Sequence, residues 1–380
     1  MVRRICFIID SLTGGGAERS VVTLATEMGR RGLEVCILTL DDECVYTLDP
    51  AIRHLPLSSG GGDLPAMGVL SRRLRTEVDR QERDAPFDLI VANLLHSSEV
   101  VKQAGLPGVY HCIHNSLGHQ IRRTRNFLVR PWWRHHIRKL YNGEHLLPVS
   151  DGVGENLQLD IKVRPASLRT IPNGFDLDEI RSRAREPQPE ADALRPFVLH
   201  VGHFKRQKRI DRLLEAWARL DVPHRLVLLG TGSRRKTRQL REQAARLGIA
   251  DSVVFPGFHE NAYAWMARAE LLVLASDFEG FGRVIVEALA TGTPVVSTDC
   301  PSGPADILTG PLARYLAPLD DPAALADRIR DALTESPVID DSVIAPFAIR
   351  TVTNRYLALP ARPGRHIGTG PAGGMAVTSM

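Results

Sequence analysis

The stretch Ser276–Asp306, SDFEGFGRVIVEALATGTPVVSTDCPSGPAD, decides how this chain folds. The residues before it, Glu270–Ser276, form a short apolar run without helical period, which predicts a buried strand. A glycine-bearing turn follows, then a helix over Arg283–Ala290 that a glycine and a proline end. Pro294–Thr298 predicts the next strand. The stretch is therefore a strand, turn, helix and strand unit whose turn faces the helix N-terminus.

Two carboxylates flank this turn, Glu279 in the loop and Glu287 about a turn and a half into the helix. A helix N-terminus carries unpaired N–H groups and partial positive charge, so it suits a phosphate. A carboxylate on the helix can accept two hydrogen bonds from a ribose diol, and one in the loop can reach a sugar beyond the phosphates. The alternatives are a surface carboxylate for Glu279 and an ion-paired helix residue for Glu287.

The spacing of Glu279 and Glu287 resembles the E-x7-E signature of the retaining glycosyltransferases of family 4. That family has the GT-B fold, in which two Rossmann-like, doubly wound α/β domains face each other across a cleft. Further segments that resemble the family are Gly14–Arg19, Ile171–Asp176, Val201–Lys208, Leu229–Gly232 and Val254–Phe258. Their order and spacing extend the resemblance over most of the chain.

A chain of 380 residues is too long for one ordinary core, and the resemblance also implies two domains. The predicted divisions are an acceptor-binding domain 1–180, a charged and proline-bearing linker 181–196, a nucleotide-sugar-binding domain 197–341, a helix 342–358 that crosses back, and a disordered tail 359–380.

The composition is that of a globular protein, with a net charge of +4. No apolar run reaches the roughly 18 residues that a membrane-spanning helix needs. The apolar residues near the N-terminus are too few for a signal peptide and predict a first parallel strand. Five cysteines without a metal-type spacing indicate free thiols in a reducing cytosol. These features predict a cytoplasmic protein.

The chain opens with a strand over Ile5–Asp10, a loop with three consecutive glycines, and a helix over Ala17–Arg31, which predicts a doubly wound domain. The glycines do not form G-x-G-x-x-G, although Asp41 and Asp42 keep a nicotinamide dinucleotide open as an alternative. The resemblance implies that the glycine loop approaches the donor phosphate or the acceptor. A simple tight turn is the other interpretation.

His114 ends the strand predicted over Gly108–Asn115, at the sheet edge where α/β proteins place ligands. The family often has a histidine near the transferred sugar, so the resemblance implies a catalytic role for His114. A histidine beside a reacting hydroxyl could move a proton or orient the sugar. The alternative is a structural strand-end histidine, which is the role we predict for His111.

A departing nucleoside diphosphate needs positive charge near its oxygens. The family supplies that charge with an arginine and a lysine in the loop after the first strand of the second domain. Lys208 matches the lysine, whereas His203 occupies the arginine position. Lys205, Arg206 or protonated His203 could replace the missing charge. The resemblance also implies that no metal or other cofactor is needed.

The resemblance thus implies the following site residues. Glu279, Lys208 and His114 are the catalytic candidates, and the donor-binding candidates are Gly15, Gly16, His203, Lys205, Gly230, Phe258, Gly280, Phe281, Gly282, Arg283 and Glu287. Phe258 is expected near the base and Glu287 near the ribose.

The segment Gly118–Lys139 has seven basic residues and no acidic one. The basic residues are Arg122, Arg123, Arg125, Arg130, Arg134, Arg138 and Lys139, interleaved with Phe127, Leu128, Trp132, Trp133 and Ile137. This composition suits an anionic membrane surface, which predicts a protein peripheral to the inner face of the plasma membrane. A solvated charged helix is the alternative, and no motif of a nucleic-acid-binding fold accompanies the segment.

The resemblance implies transfer of a sugar, with retention, from a nucleotide-diphosphate donor (a UDP-sugar or GDP-mannose) to a saccharide in polysaccharide or glycan biosynthesis. The basic aromatic segment favours a polyprenyl-diphosphate-linked acceptor. A nucleotide-sugar epimerase of the same architecture and a non-catalytic nucleotide-sugar-binding protein are the alternatives.

Overall fold

The computed structural model describes residues 2–60, 64–124 and 126–362. Within them two parallel sheets form, one of seven strands in the order β3-β2-β1-β4-β5-β6-β7 and one of six in the order β10-β9-β8-β11-β12-β13. The first sheet consists of β1 Arg4–Ile9, β2 Glu34–Thr39, β3 Ile52–Pro56, β4 Leu89–Asn93, β5 Tyr110–Ile113, β6 His145–Pro148 and β7 Ser167–Leu168. The second consists of β8 Phe197–Val201, β9 Arg225–Leu229, β10 Val253–Gly257, β11 Leu271–Leu274, β12 Val295–Thr298 and β13 Leu316–Ala317.

Helices cover both sheets and connect their strands. Those before the second sheet are α1 Gly16–Arg30, α2 Met67–Gln81, α3 Leu95–Ala104, α4 Leu117–Arg123, α5 Arg130–Tyr141, α6 Asp151–Glu155, α7 Leu177–Ala184 and α8 Pro189–Leu194. The later ones are α9 Ile210–Trp217, α10 Arg234–Arg246, α11 Ala262–Met266, α12 Arg283–Ala290, α13 Pro304–Ile307, α14 Pro322–Glu335 and α15 Ile349–Leu357. A π-helical turn, Asn156–Ile161, follows α6 directly.

The central strands of both sheets are buried on both faces. Every residue of β11 is fully buried, and so are the last five residues of β1. Such strands lack polar alternation because helices cover each face of a parallel sheet. The predicted fold class of two Rossmann-like, doubly wound α/β domains is therefore confirmed.

The structure corrects the C-terminal predictions. The helix predicted over 342–358 begins only at Ile349, because Pro346 cannot sit in a helix interior and the preceding residues form two 3₁₀ turns. Residues 359–362, assigned to a disordered tail, pack instead, and Arg362 pairs with Glu82 across 2.7 Å. Residues 363–380 of that tail lie outside the described residues. The helices α7 and α8 fill most of the predicted linker.

The last helix returns to the first sheet. Arg31 Nη1 donates to Asn354 Oδ1 across 2.6 Å, and the Tyr356 hydroxyl lies 3.6 Å from Cys112 Sγ. Phe175 and Ala348 form an isolated β-bridge beside it. The chain that leaves the second sheet therefore packs against the first.

Candidate active site

The turn after β11 leads directly into α12. Gly282 precedes α12 with a φ of 87°, in the left-handed region that favours glycine. No side chain in the part of the chain that the structure describes caps this helix. Ile285 N donates to the Gly282 carbonyl across 2.9 Å, whereas the N–H groups of Arg283 and Val284, the first two of α12, are available to an anionic ligand.

Lys208 and Glu279, predicted from separate segments, lie together. Glu279 is 7% exposed, and Lys208 Nζ donates to its Oε1 across 2.8 Å. Two further bonds join the same loops, because Gln207 Nε2 donates to the Phe278 carbonyl (2.5 Å) and Asp277 N donates to the Gln207 carbonyl (2.9 Å). The loops after β8 and β11 thus form one surface with an ammonium group and a carboxylate at its centre.

Glu287 faces the first domain. Its carboxylate lies 3.3 Å from Arg283 Nη2 and 3.9 Å from Arg19 Nη1. Arg283 Nη1 also donates to Ser20 Oγ across 2.7 Å, and Arg19 Nη1 donates to the Tyr263 hydroxyl across 3.2 Å. Glu287 is therefore ion-paired, as the alternative interpretation expected, and its partners come from both sides of the cleft. Arg19 lies in the glycine-rich motif that the sequence singled out, whereas nothing in the sequence marks Tyr263.

The glycine loop of the first domain lies against this group. Gly15 immediately precedes α1, and a Cβ placed at Gly16 would lie 3.2 Å from Arg283 Cδ. Burial raises the pKa of the Glu18 carboxyl, and the positive charge of Lys205 partly opposes that rise across the cleft. The predicted residues Gly15, Gly16 and Lys205 therefore border the same cleft.

The loops after β8 and β9 touch through their backbones. Gly230 has a φ of 138°, and a Cβ there would lie 2.0 Å from the Gly202 carbonyl oxygen. His203 is exposed, with its Nδ1 3.4 Å from Thr231 Oγ1. Phe258, which follows β10, is 71% exposed. These residues share the carboxyl edge of the second sheet, and Phe258 presents a free aromatic face there.

His114 has a neutral ring held in place by Asn93. Burial, reinforced by the positive charge of Arg283, lowers the pKa of His114 to about 4. Asn93 Nδ2 donates to backbone carbonyls, so its Oδ1, 3.0 Å from His114 Nε2, accepts the Nε2–H. His114 Nδ1 is then left as a hydrogen-bond acceptor. His111, by contrast, is 1% exposed, and its structural role stays a prediction.

The loop that holds Glu279 also contacts the first domain. A Cβ at Gly280 would lie 1.8 Å from the His114 carbonyl oxygen, and Ser150 Oγ donates to the Gly280 carbonyl across 2.7 Å. Asp277 accepts from Arg212 Nη2 at 2.8 Å and also pairs with Arg123 of the first domain. Arg123 belongs to the basic aromatic segment and no sequence signal marks Asp277, since their pairing exists only after folding.

Among residues 2–60, 64–124 and 126–362, no group of three or more His, Cys, Asp or Glu side chains could hold a metal ion. Asp176 and Asp178 are two carboxylates close in the sequence, but Asp176 caps α7 and pairs with Arg30 across 3.1 Å. No helix in this part of the chain is long and apolar enough to cross a membrane.

Two family profiles match the chain, each over one of the two sheets. Residues 14–179 match the profile described as Glycosyltransferase Family 4, and residues 195–335 match Glycosyl transferases group 1.

Named relatives and solved structures agree with these profiles. An N-acetylgalactosaminyltransferase of Campylobacter jejuni, which acts on a diphospho-undecaprenol saccharide, is 28% identical over 80% of this chain and 82% of its own length. The D-inositol 3-phosphate glycosyltransferase of Xylanimonas cellulosilytica is 28% identical over 74% of this chain and 75% of its own. The Anabaena protein HepE, solved with UDP-glucose, has a TM-score of 0.72 at 18% identity, covering 93% of this chain and 98% of that one.

Proposed function

The chain belongs to the glycosyltransferases of family 4, and from that premise we propose that it is a retaining enzyme with a nucleotide-diphosphate sugar as its donor. One observation carries the proposal: Lys208 Nζ and the Glu279 carboxylate meet at 2.8 Å beside the uncapped tip of α12. An ammonium group and a helix N-terminus suit a diphosphate, and the carboxylate suits the hydroxyls of the sugar beyond it.

The same groups account for catalysis. The oxygens of the departing diphosphate gain negative charge as the bond to the sugar breaks, and fixed positive groups stabilise that charge most in the transition state. Lys208, the N–H groups of α12 and Lys205 supply it, so we propose that neither a metal ion nor a cofactor is needed. Glu279 orients the sugar, and Glu287 exchanges an arginine for the ribose diol when the donor binds. We assign no described side chain as a nucleophile and propose front-face substitution.

His114 contributes as a neutral group. A ring with a pKa of about 4 is uncharged at neutral pH. Its free Nδ1 can accept a hydrogen bond from a sugar hydroxyl, while Asn93 holds the ring orientation. We therefore assign His114 to orienting the donor sugar rather than to carrying a positive charge.

For the acceptor we propose a lipid-linked saccharide, used in polysaccharide or glycan assembly at the inner face of the cytoplasmic membrane. The Campylobacter relative is named for a diphospho-undecaprenol acceptor. The basic aromatic segment offers cations and exposed aromatic rings, which suit such a surface. The relatives are named as transferases, which favours transfer over the epimerase and the non-catalytic alternatives.

The first test is a thermal-shift panel with UDP, GDP and their sugars. We expect one base to raise the melting temperature, and the Glu287→Ala variant to lose most of that rise because the ribose loses its acceptor. Donor turnover with the matching sugar, followed by NMR of the product anomer, then tests retention. An inverted product, or a nucleotide response that Glu287→Ala leaves unchanged, would contradict the proposal.

A further inference from the structure

A groove lined by basic side chains lies between α4, α5 and the residues that follow the π-helical turn. Its cavity of about 560 Å³ is bordered by Arg122, Arg130, Arg134, Arg138, Lys162 and Asp160, among others. Arg130, Arg134 and Arg138 recur every fourth residue and therefore form one stripe along α5. The stripe spans about 12 Å, since a helix rises about 1.5 Å per residue.

Three of these cations are without a partner among the residues that the structure describes. Arg122 pairs with Asp160 at 2.7 Å, and Arg130 donates to the Thr124 carbonyl at 3.1 Å. Arg134, Arg138 and Lys162 form neither an ion pair nor a side-chain hydrogen bond with any residue that the structure describes. Arg134 and Arg138 are also half-buried, so they are held along the groove rather than extended into solvent. This arrangement leaves a concave site with uncompensated positive charge.

The rim of the groove is apolar and exposed. Phe127, which lines the groove, is 67% exposed, and Leu128 and Leu159, each next to a lining residue in the sequence, are 71% and 72% exposed. Large apolar side chains grouped around a charged groove indicate a ligand that is itself amphiphilic. A nucleic acid would not use the apolar rim. A single inorganic phosphate would fill only part of a stripe about 12 Å long.

The groove and the donor loop lie on opposite sides of one short helix. Adjacent residues of α4 point both ways, because Arg122 lines the groove whereas Arg123 pairs with Asp277, two residues before Glu279. His119, on the same helix, stacks on Phe278 with ring centroids 6.0 Å apart. A ligand that starts in the groove and continues past α4 would therefore arrive at the loop that holds Glu279.

We propose that this groove binds the diphosphate of the lipid-linked acceptor, with the rim contacting the start of the lipid chain. The inference rests on the proposed function, since it names how the acceptor of that reaction is held. Arg134, Arg138 and Lys162 bind the phosphate oxygens, and the saccharide beyond them reaches the cleft past α4.

The test uses the full chain with its donor site filled by saturating UDP or GDP, so that a diphosphate cannot bind there. Farnesyl diphosphate is the probe, and calorimetry measures its Kd for wild type and for Arg134→Gln/Arg138→Gln. We expect the Kd to rise by about a hundredfold, because each charge-assisted bond contributes roughly a factor of ten. The matched control Arg72→Gln/Arg246→Gln removes two exposed helix arginines outside the groove and should bind like wild type.

Two further arms make the outcome specific. Inorganic pyrophosphate should bind at least tenfold more weakly than farnesyl diphosphate, since it cannot use the rim. Farnesyl diphosphate should also protect Arg134 and Arg138 of the wild-type chain from phenylglyoxal, mapped by mass spectrometry, which needs no variant. Equal binding by the groove variant, or binding of phosphatidylglycerol vesicles without binding of farnesyl diphosphate, would overturn the inference. Nucleotide-induced stabilisation and donor hydrolysis report separately on the proposed function, so the two can fail independently.

Discussion

Replacing Lys208 by methionine should damage activity and stability through two separable effects. The ammonium group contacts Glu279 Oε1 at 2.8 Å, and the two side chains are 18% and 9% exposed. The substitution therefore removes a positive charge from the donor site and leaves a nearly buried carboxylate without its partner.

The magnitudes follow from that geometry. Removing one partner of a buried ion pair lowers the free energy of unfolding by about 3–5 kcal/mol. Because Lys208 is partly exposed, we expect a loss of about 3 kcal/mol. For a domain of this size, a loss of that magnitude lowers the melting temperature by about 6–12 °C. Loss of one preorganised electrostatic contact to the transition state lowers kcat by about 10²–10³-fold.

A double variant separates the two effects. Lys208→Met/Glu279→Gln removes both charges, so no buried charge is left unpaired and the melting temperature should return to within a few degrees of wild type, about a third of the single-variant shift or less. The kcat should stay low, because neither group is restored. Calorimetry and donor turnover are measured on both variants. Lys102→Met is the control, since Lys102 pairs with Glu144 on the first domain, away from the cleft.

The reasoning is refuted in either of two ways. A kcat of Lys208→Met close to that of wild type would remove Lys208 from catalysis. Recovery of both stability and turnover in the double variant would mean that the pair acts only as a structural contact.

Further predictions concern the contacts between the domains, the protonation of His114 and the proposed metal independence. Gly280→Ala should lower turnover by at least tenfold and raise the radius of gyration in small-angle scattering, because its Cβ would lie 1.8 Å from the His114 carbonyl oxygen. The control Gly29→Ala, whose Cβ would have no atom within 4 Å, should change neither quantity. Because the folded pKa of His114 is about 4 and the unfolded value about 6.5, the unfolded chain binds the extra proton between these values, so stability falls as pH falls through that window. His114→Gln should weaken this dependence in urea unfolding at pH 7.5 and 5, and an unchanged slope would contradict the assignment. Arg123→Ala should lower kcat severalfold while nucleotide binding stays constant, because it frees Asp277 from the first domain; an equal loss of nucleotide affinity would argue against that route. Incubation with EDTA should leave turnover unchanged, and restoration of a lost rate by Mg²⁺ would overturn the proposed metal independence.

The sequence by itself determined the elements whose signals are local. The helix predicted over Arg283–Ala290 has the same bounds in the structure. All of its signals, the apolar residues and the two flanking glycines, lie between Gly282 and Gly292. The buried strands β1 and β11 were likewise predictable from apolar runs alone. The E-x7-E spacing and the order of the other segments then placed Glu279, Glu287 and Lys208 in one family pattern.

Only the tertiary structure decided which distant residues meet. Arg19 and Glu287 lie far apart in the sequence, and Arg123 on α4 and Asp277 in the loop after β11 belong to different domains, so no local pattern links either pair. The basic segment was visible as composition, but its division into a groove-facing Arg122 and a cleft-facing Arg123 depends on how α4 packs. Side-chain pairing across a cleft depends on how the two sheets lie relative to each other. That arrangement exists only once both sheets have folded and docked.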